Sequence, residues 1–338
     1  MALPTMTDAM IEQAFADGCV DIYRDWQVLG PADRRSRVQE LIRAVVRAIS
    51  LPDVGFSWVD GARISGQGGQ LDAQNWVLKI NKSVSERHNV TVADMQWFAG
   101  VLYHEMRHGE QWFRCAQGVV AQDLVLPTLQ AWMAAGGKLT PTIASQHMHM
   151  PAAVLEAAEA RGKPSYTQHS ASLPIQGWFD SIWGANRAHR GTVLAHPNIM
   201  TVGSPAHLAY ISLPEEVDAY ATQHAVEALI GTALAGVVQR QVAQSDSVAS
   251  LASGHLAAAS TTGANEDAMS RALRAVKLRP TGANLGTNPR TQALRATHER
   301  AMTEASATQA SGGADASAAP GRVRELVASI NGLNARRG

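Results

Sequence analysis

The chain has 338 residues, 46% of them hydrophobic, and its 29 Lys or Arg residues balance 29 Asp or Glu residues. That is enough apolar material for a real core in one large domain or two, while zero formal charge argues against nucleic acid or an anionic membrane as the main partner. Two cysteines, Cys19 and Cys115, do not make a disulfide framework, so the redox compartment stays open.

The opening residues, Met1 to Asp8, form neither a basic nor an apolar segment, and no apolar run approaches about 18 residues. The expectation is a chain without a Sec signal or a membrane span, cytoplasmic or exported by a dedicated secretion system. Met10, Ile11, Phe15, Val20, Ile22 and Tyr23 predict an amphipathic helix over residues 7–28, broken near Gly18. A second helix opens at Pro31 and stops before Leu51-Pro52. The period then changes to two. Residues 54–59 and 75–81 read as strands, with the glycine-rich Ser65-Gly66-Gln67-Gly68-Gly69 as a hairpin connection. The second strand turns Trp76, Leu78 and Ile80 to one face, and is either an inner strand or the sheet edge that pairs with an extended peptide.

Thr91 and Asp94 form a capping box that opens a helix from Val92 to about Gln117. Trp97, Val101, His104, His108, Trp112 and Cys115 follow one another along one side of it. Within it lies His104-Glu105-Met106-Arg107-His108, an HExxH pattern expected by chance on the order of 0.02 times in such a chain. Histidines four apart share a helix face, so both imidazoles can meet one metal ion, and the intervening carboxylate can take a proton from water held there.

Residues 122–135 read as a helix in spite of Pro127, and residues 146–150 as a loop whose His and Met side chains also suit copper or a second metal. Residues 151–161 and 174–190 read as helices of an insert beside the metal. Ser212 and Glu215 predict a second capping box, with Pro214 in the first turn of a helix reaching about Ala243. Glu215 is then occupied by the cap. Glu216, about 100° further round, is free to complete a zinc set with His104 and His108. A closed structural site would need a fourth protein ligand, for which His207 and His224 are the candidates. All aromatic residues precede Ala221, and from Ser245 the chain is rich in Ala, Ser, Thr and Gly. Residues 245–338 therefore read as a largely disordered tail with short helical pieces near 267–279 and 322–333, leaving residues 1–244 as an α+β domain, mostly helical around a small mixed or antiparallel sheet.

His104-Glu105-Met106-Arg107-His108, joined to Glu216-Val217-Asp218-Ala219-Tyr220, resembles the gluzincin zinc metallopeptidases, above all the compact domains with a downstream E-x-x-A-Y segment found in bacterial toxins and secretion-system effectors. The resemblance covers about residues 50–240. It implies a zincin-like fold, Zn²⁺ as cofactor, His104, His108 and Glu216 as ligands and Glu105 as general base. It also implies a protein or peptide substrate, with a secretion apparatus or an immunity protein as further partners. The metzincin pattern fails, since Gln111 and Arg114 stand where Gly and His belong. Thermolysin-like gluzincins carry an Asp where this chain has Tyr220, which either supports a ligand, stabilises an oxyanion or packs against the motif helix. The expected activity is peptide-bond hydrolysis; the alternatives are an amidase acting on peptidoglycan peptides and a non-catalytic protein stapled by its metal.

Overall fold

The computed structural model describes residues 3–64 and 68–260. The predicted helical pieces near 267–279 and 322–333 lie outside the described residues, as does the tail beyond Ser260. The described residues divide into two units at Gly231/Thr232. The second contains, among the described residues, the C-terminal part of one long helix; everything below concerns the first.

Two antiparallel-patterned helices open the chain, α1 (Ala9–Asp25) and α2 (Pro31–Ala48). Helix α1 runs unbroken through Gly18, where a break was expected. A side-chain carbon at Gly18 would lie 2.5 Å from Leu41 Cδ1, so this glycine lets the two helices approach. A small mixed sheet follows, made of β1 (Gly55–Val59), β2 (Gly69–Asp72) and β3 (Val77–Asn81) in the order β1-β3-β2. Strand β1 pairs with β3 in parallel and β2 pairs with β3 antiparallel, with Leu71 opposite Leu78.

This topology corrects the expected hairpin. The turn joins β2 to β3, and Gly68-Gly69 leads into β2 instead of linking β1 to β3. Strand β3 is central, as its buried Leu78 and Ile80 require, so the edge near the motif helix belongs to β2. The sequence hides β2 because Gly-Gln-Leu-Asp has no β-branched or aromatic residue to signal a strand.

After the short α3 (Lys82–Glu86) comes α4 (Val92–Val120), the motif helix. Its capping box forms as predicted: Thr91 Oγ1 accepts from the Asp94 amide at 3.1 Å and Asp94 accepts from the Thr91 amide at 3.0 Å. Helix α4 is not one-sided, however. Around its middle it is buried on most sides, by β2, α6 (Pro141–Met148), α7 (Ala152–Ser170) and α8 (Ile175–Ile182), with Val101, Glu105, His108 and Trp112 along a half-buried stripe, and Arg107, Glu110, Gln111, Arg114 and Gln117 all lie in the interior. Trp97, expected on the buried face, is 41% exposed.

The connecting segments differ in detail. Pro127 opens a 3₁₀ turn (Pro127–Leu129) before a short α5 (Gln130–Ala134), replacing the continuous helix expected there. Gln146 to Met148 belong to α6, Met148 and Met150 are core residues, and His147 Nδ1 pairs with Thr128 Oγ1 at 3.0 Å. Among the described residues no second metal set forms there. Helix α7 continues past residue 161 through a kink at Gly162 (φ 71°), and the expected helix over 174–190 is two, α8 and α9 (Arg187–Leu194). An unforeseen α10 (Pro205–Ile211) precedes α11 (Pro214–Ser260). The fold is α+β and mostly helical, and among the described residues no helix is long and apolar enough to cross a membrane.

One buried group in α7 makes stability depend on pH. His169 is 2% exposed, and burial together with the nearby Arg114 guanidinium lowers its pKa to about 4. The unfolded chain binds this proton near pH 6.5 and the folded chain does not, so the contribution is intact above about 6.5 and falls as pH drops toward 4. Urea titrations of chelator-treated protein at pH 5 and 7 should show a steeper loss for wild type than for His169→Phe. Equal losses would remove His169 from the account.

Candidate metal centre

The capping box and the apolar sides of α4 fix the rotation of that helix, and with it the direction of the motif. His104 and His108, one turn apart, bring their Nε2 atoms to 3.0 Å. Their rings meet edge to face at 86°. From α11, Glu216 places Oε2 3.4 Å from His104 Nε2 and Oε1 3.4 Å from His108 Nε2. These donor atoms all lie within 4.8 Å of one another. Donors on a tetrahedral zinc ion, at bond lengths near 2.05 Å, stand about 3.3 Å apart. The donor set therefore fits such an ion. Two imidazole nitrogens facing each other at this distance need something electrophilic between them, and both His104 Nδ1 and Glu216 Oε2 are buried without a hydrogen-bond partner among the described residues.

The electrostatics agree with a site built for positive charge. Burial resists protonation of His108, but the Glu216 carboxylate overcomes it and raises the pKa to about 10. Burial likewise opposes the charge of Glu216, and the two histidines more than offset it, holding the carboxyl well below its usual range. A metal cation replaces those protons with a fixed charge.

Glu105 faces the edge of the sheet. Asn81 donates to the Gly68 carbonyl at 3.0 Å, so in the antiparallel pair the amides of Gly69 and Leu71 point away from β3. Leu71 N–H donates to Glu105 Oε2 at 2.7 Å.

The predicted cap at the start of α11 does not form. Ser212 Oγ donates to the Leu208 carbonyl at 2.6 Å, and Glu215 accepts from Arg190 Nε of α9 at 2.6 Å. Glu215 is thus occupied, though by a buried ion pair and not by the helix end; Glu216 still faces the histidines. Tyr220 stacks edge-on against His104 with ring centroids 4.5 Å apart. Neither His207, whose Nδ1 faces the Ile199 carbonyl at 3.0 Å, nor His224, beside Glu227 at 3.3 Å, joins the donor group among the described residues.

Sequence reasoning missed two features. Tyr210 of α10 lies against the site: burial, then the charges of Glu216, Tyr220 and Glu105, push its phenol far above the usual range, which keeps it protonated. It sits six residues before Glu216, but no spacing rule joins a residue on one helix to a ligand on the next. The second is a buried polar network. Arg107 clamps Asp218 through Nε at 2.7 Å and Nη2 at 3.0 Å, holds Glu110, and lies over Trp178 at 5.0 Å. Glu110 also binds Arg114 and accepts the Met6 amide at 2.9 Å, while the Met6 carbonyl accepts from Tyr103 at 2.7 Å. No family model, no curated protein and no solved structure matches the chain, so the reading of the site rests on this geometry.

Proposed function

We propose that the protein is a zinc-dependent hydrolase of peptide bonds with a zincin-like catalytic centre. The observation that carries the reading is the convergence of His104, His108 and Glu216 with Glu105 anchored beside them. Three protein donors, with no fourth among the described residues, leave a coordination position for water or substrate, the pattern of catalytic rather than structural zinc. When bound, zinc supplies a Lewis acid for the scissile carbonyl and acidifies water at the open position.

The chain's own residues supply the rest. Glu105, held through Oε2 by the Leu71 amide, takes the proton of the attacking water and returns it to the leaving amine. Tyr210, kept protonated, hydrogen-bonds the Glu216 carboxylate and steadies that donor. Tyr220 fixes the ring of His104 by edge-to-face packing.

The test begins with metal. About one zinc per chain should copurify, and Glu216→Ala should weaken its binding, while His104→Ala/His108→Ala should lose it. Stoichiometric zinc in that double variant refutes the ligand assignment. Casein and purified cell wall then serve as paired substrates: cleavage of casein supports the peptidase, and release of peptides from cell wall alone replaces it with an amidase.

A further inference from the structure

We infer that Gln111 is a positioning residue that sets two of the three ligands at once. The inference rests on the zinc reading above and concerns how the chain prepares that site. Gln111 is fully buried on α4, one turn beyond His108. Its Nε2 donates to the Glu215 carbonyl at 2.8 Å and to Asp218 Oδ2 at 2.7 Å. Its Oε1 lies 2.8 Å from His108 Nδ1.

The donor and acceptor inventory permits one arrangement. A backbone carbonyl and a carboxylate bound to arginine accept and cannot donate, so the amide NH₂ must face Glu215 and Asp218. The amide oxygen then faces the histidine, and an oxygen cannot donate, so His108 must carry a proton on Nδ1. Its Nε2 is thereby the atom left to bind metal. The two Arg107 contacts hold the Asp218 carboxylate in place, and so fix the amide orientation and through it the imidazole. Because Glu215 immediately precedes Glu216, the same side chain also ties the carboxylate ligand's backbone to the histidine helix. Among the described residues His104 has no equivalent, since its Nδ1 is buried without a hydrogen-bond partner there. His108 is therefore the pre-set ligand, and His104 is held by packing against Tyr220.

The test compares Gln111→Met with Gln117→Met. Both remove a buried amide from α4, but Gln117 binds Arg114 and Ser165 and touches no ligand. Zinc affinity, measured by chelator competition, should fall ~10–100-fold for Gln111→Met, the range for loss of a partner behind a metal ligand, and stay within about threefold of wild type for Gln117→Met. The visible spectrum of the Co²⁺ form should change for Gln111→Met alone. Equal affinities and spectra for Gln111→Met and wild type overturn the inference while the zinc reading stands; a wild type that binds no zinc removes both. Should Gln111→Met fail to fold, ¹⁵N NMR of zinc-loaded wild type decides. His108 must show a protected proton on Nδ1 and metal on Nε2, and metal on Nδ1 overturns the inference.

Discussion

Glu105→Gln is expected to keep its zinc and its melting midpoint while slowing peptide hydrolysis by at least ~100-fold, the scale of a positioned general base. Glutamine can turn its oxygen to the Leu71 amide, so the anchor to β2 survives and the volume is unchanged. What it lacks is a carboxylate that can accept a proton from water near neutral pH. Metal content, thermal melting and turnover of one peptide substrate, all on the same preparations, separate these effects. Turnover equal to wild type would end the proposed role of Glu105. A variant that loses its metal instead would show that the carboxylate supports the ligands.

The largest expected loss of stability comes from Arg107→Met. Arg107 is wholly buried, and its removal strands the buried Glu110 carboxylate and the part-buried Asp218 carboxylate with Gln111, Arg114 and the Met6 amide as their remaining partners. Breaking a buried ion pair from one side costs about 3–5 kcal/mol. For a domain of this size that is a fall of roughly 10 °C in melting midpoint. Arg24→Met is the contrast, because Arg24 meets Asp21 at 3.0 Å with both side chains about half exposed or more. That surface pair contributes no more than ~1 kcal/mol. Similar midpoints for the two variants would mean that the interior network is worth no more than an exposed one.

The converging donors were legible because their signal is local. His104, Glu105 and His108 are tied by helix period, and Glu216 by the turn that starts α11. Arg107, Glu110 and Arg114 were not, since a charged residue in an amphipathic pattern reads as solvent-facing until its partner is known. Those partners, Asp218 and the Met6 amide, are 111 and 104 residues away. The same distance explains Glu215: a Ser-x-x-Glu spacing predicts a cap, and only tertiary structure brings Arg190 to compete for the carboxylate. The sheet was half visible. Val77–Asn81 and Gly55–Val59 have the apolar content of strands, whereas β2 is defined by lying between β3 and α4 and has little pattern of its own.

The pairing of α4 with the start of α11 also sets when the centre can exist. The contacts that join Arg107 to Asp218, and His104 and His108 to Glu216, close loops of more than 100 residues. Such contacts are reached after local helices have formed, because the chain entropy of a long loop is spent before any contact repays it. On a ribosome, the HExxH helix can fold long before its third ligand has been synthesised, and until residue 216 emerges it holds two histidines and no centre. Whatever use the three donors have is thus withheld from the nascent chain and begins with the docking of one helix.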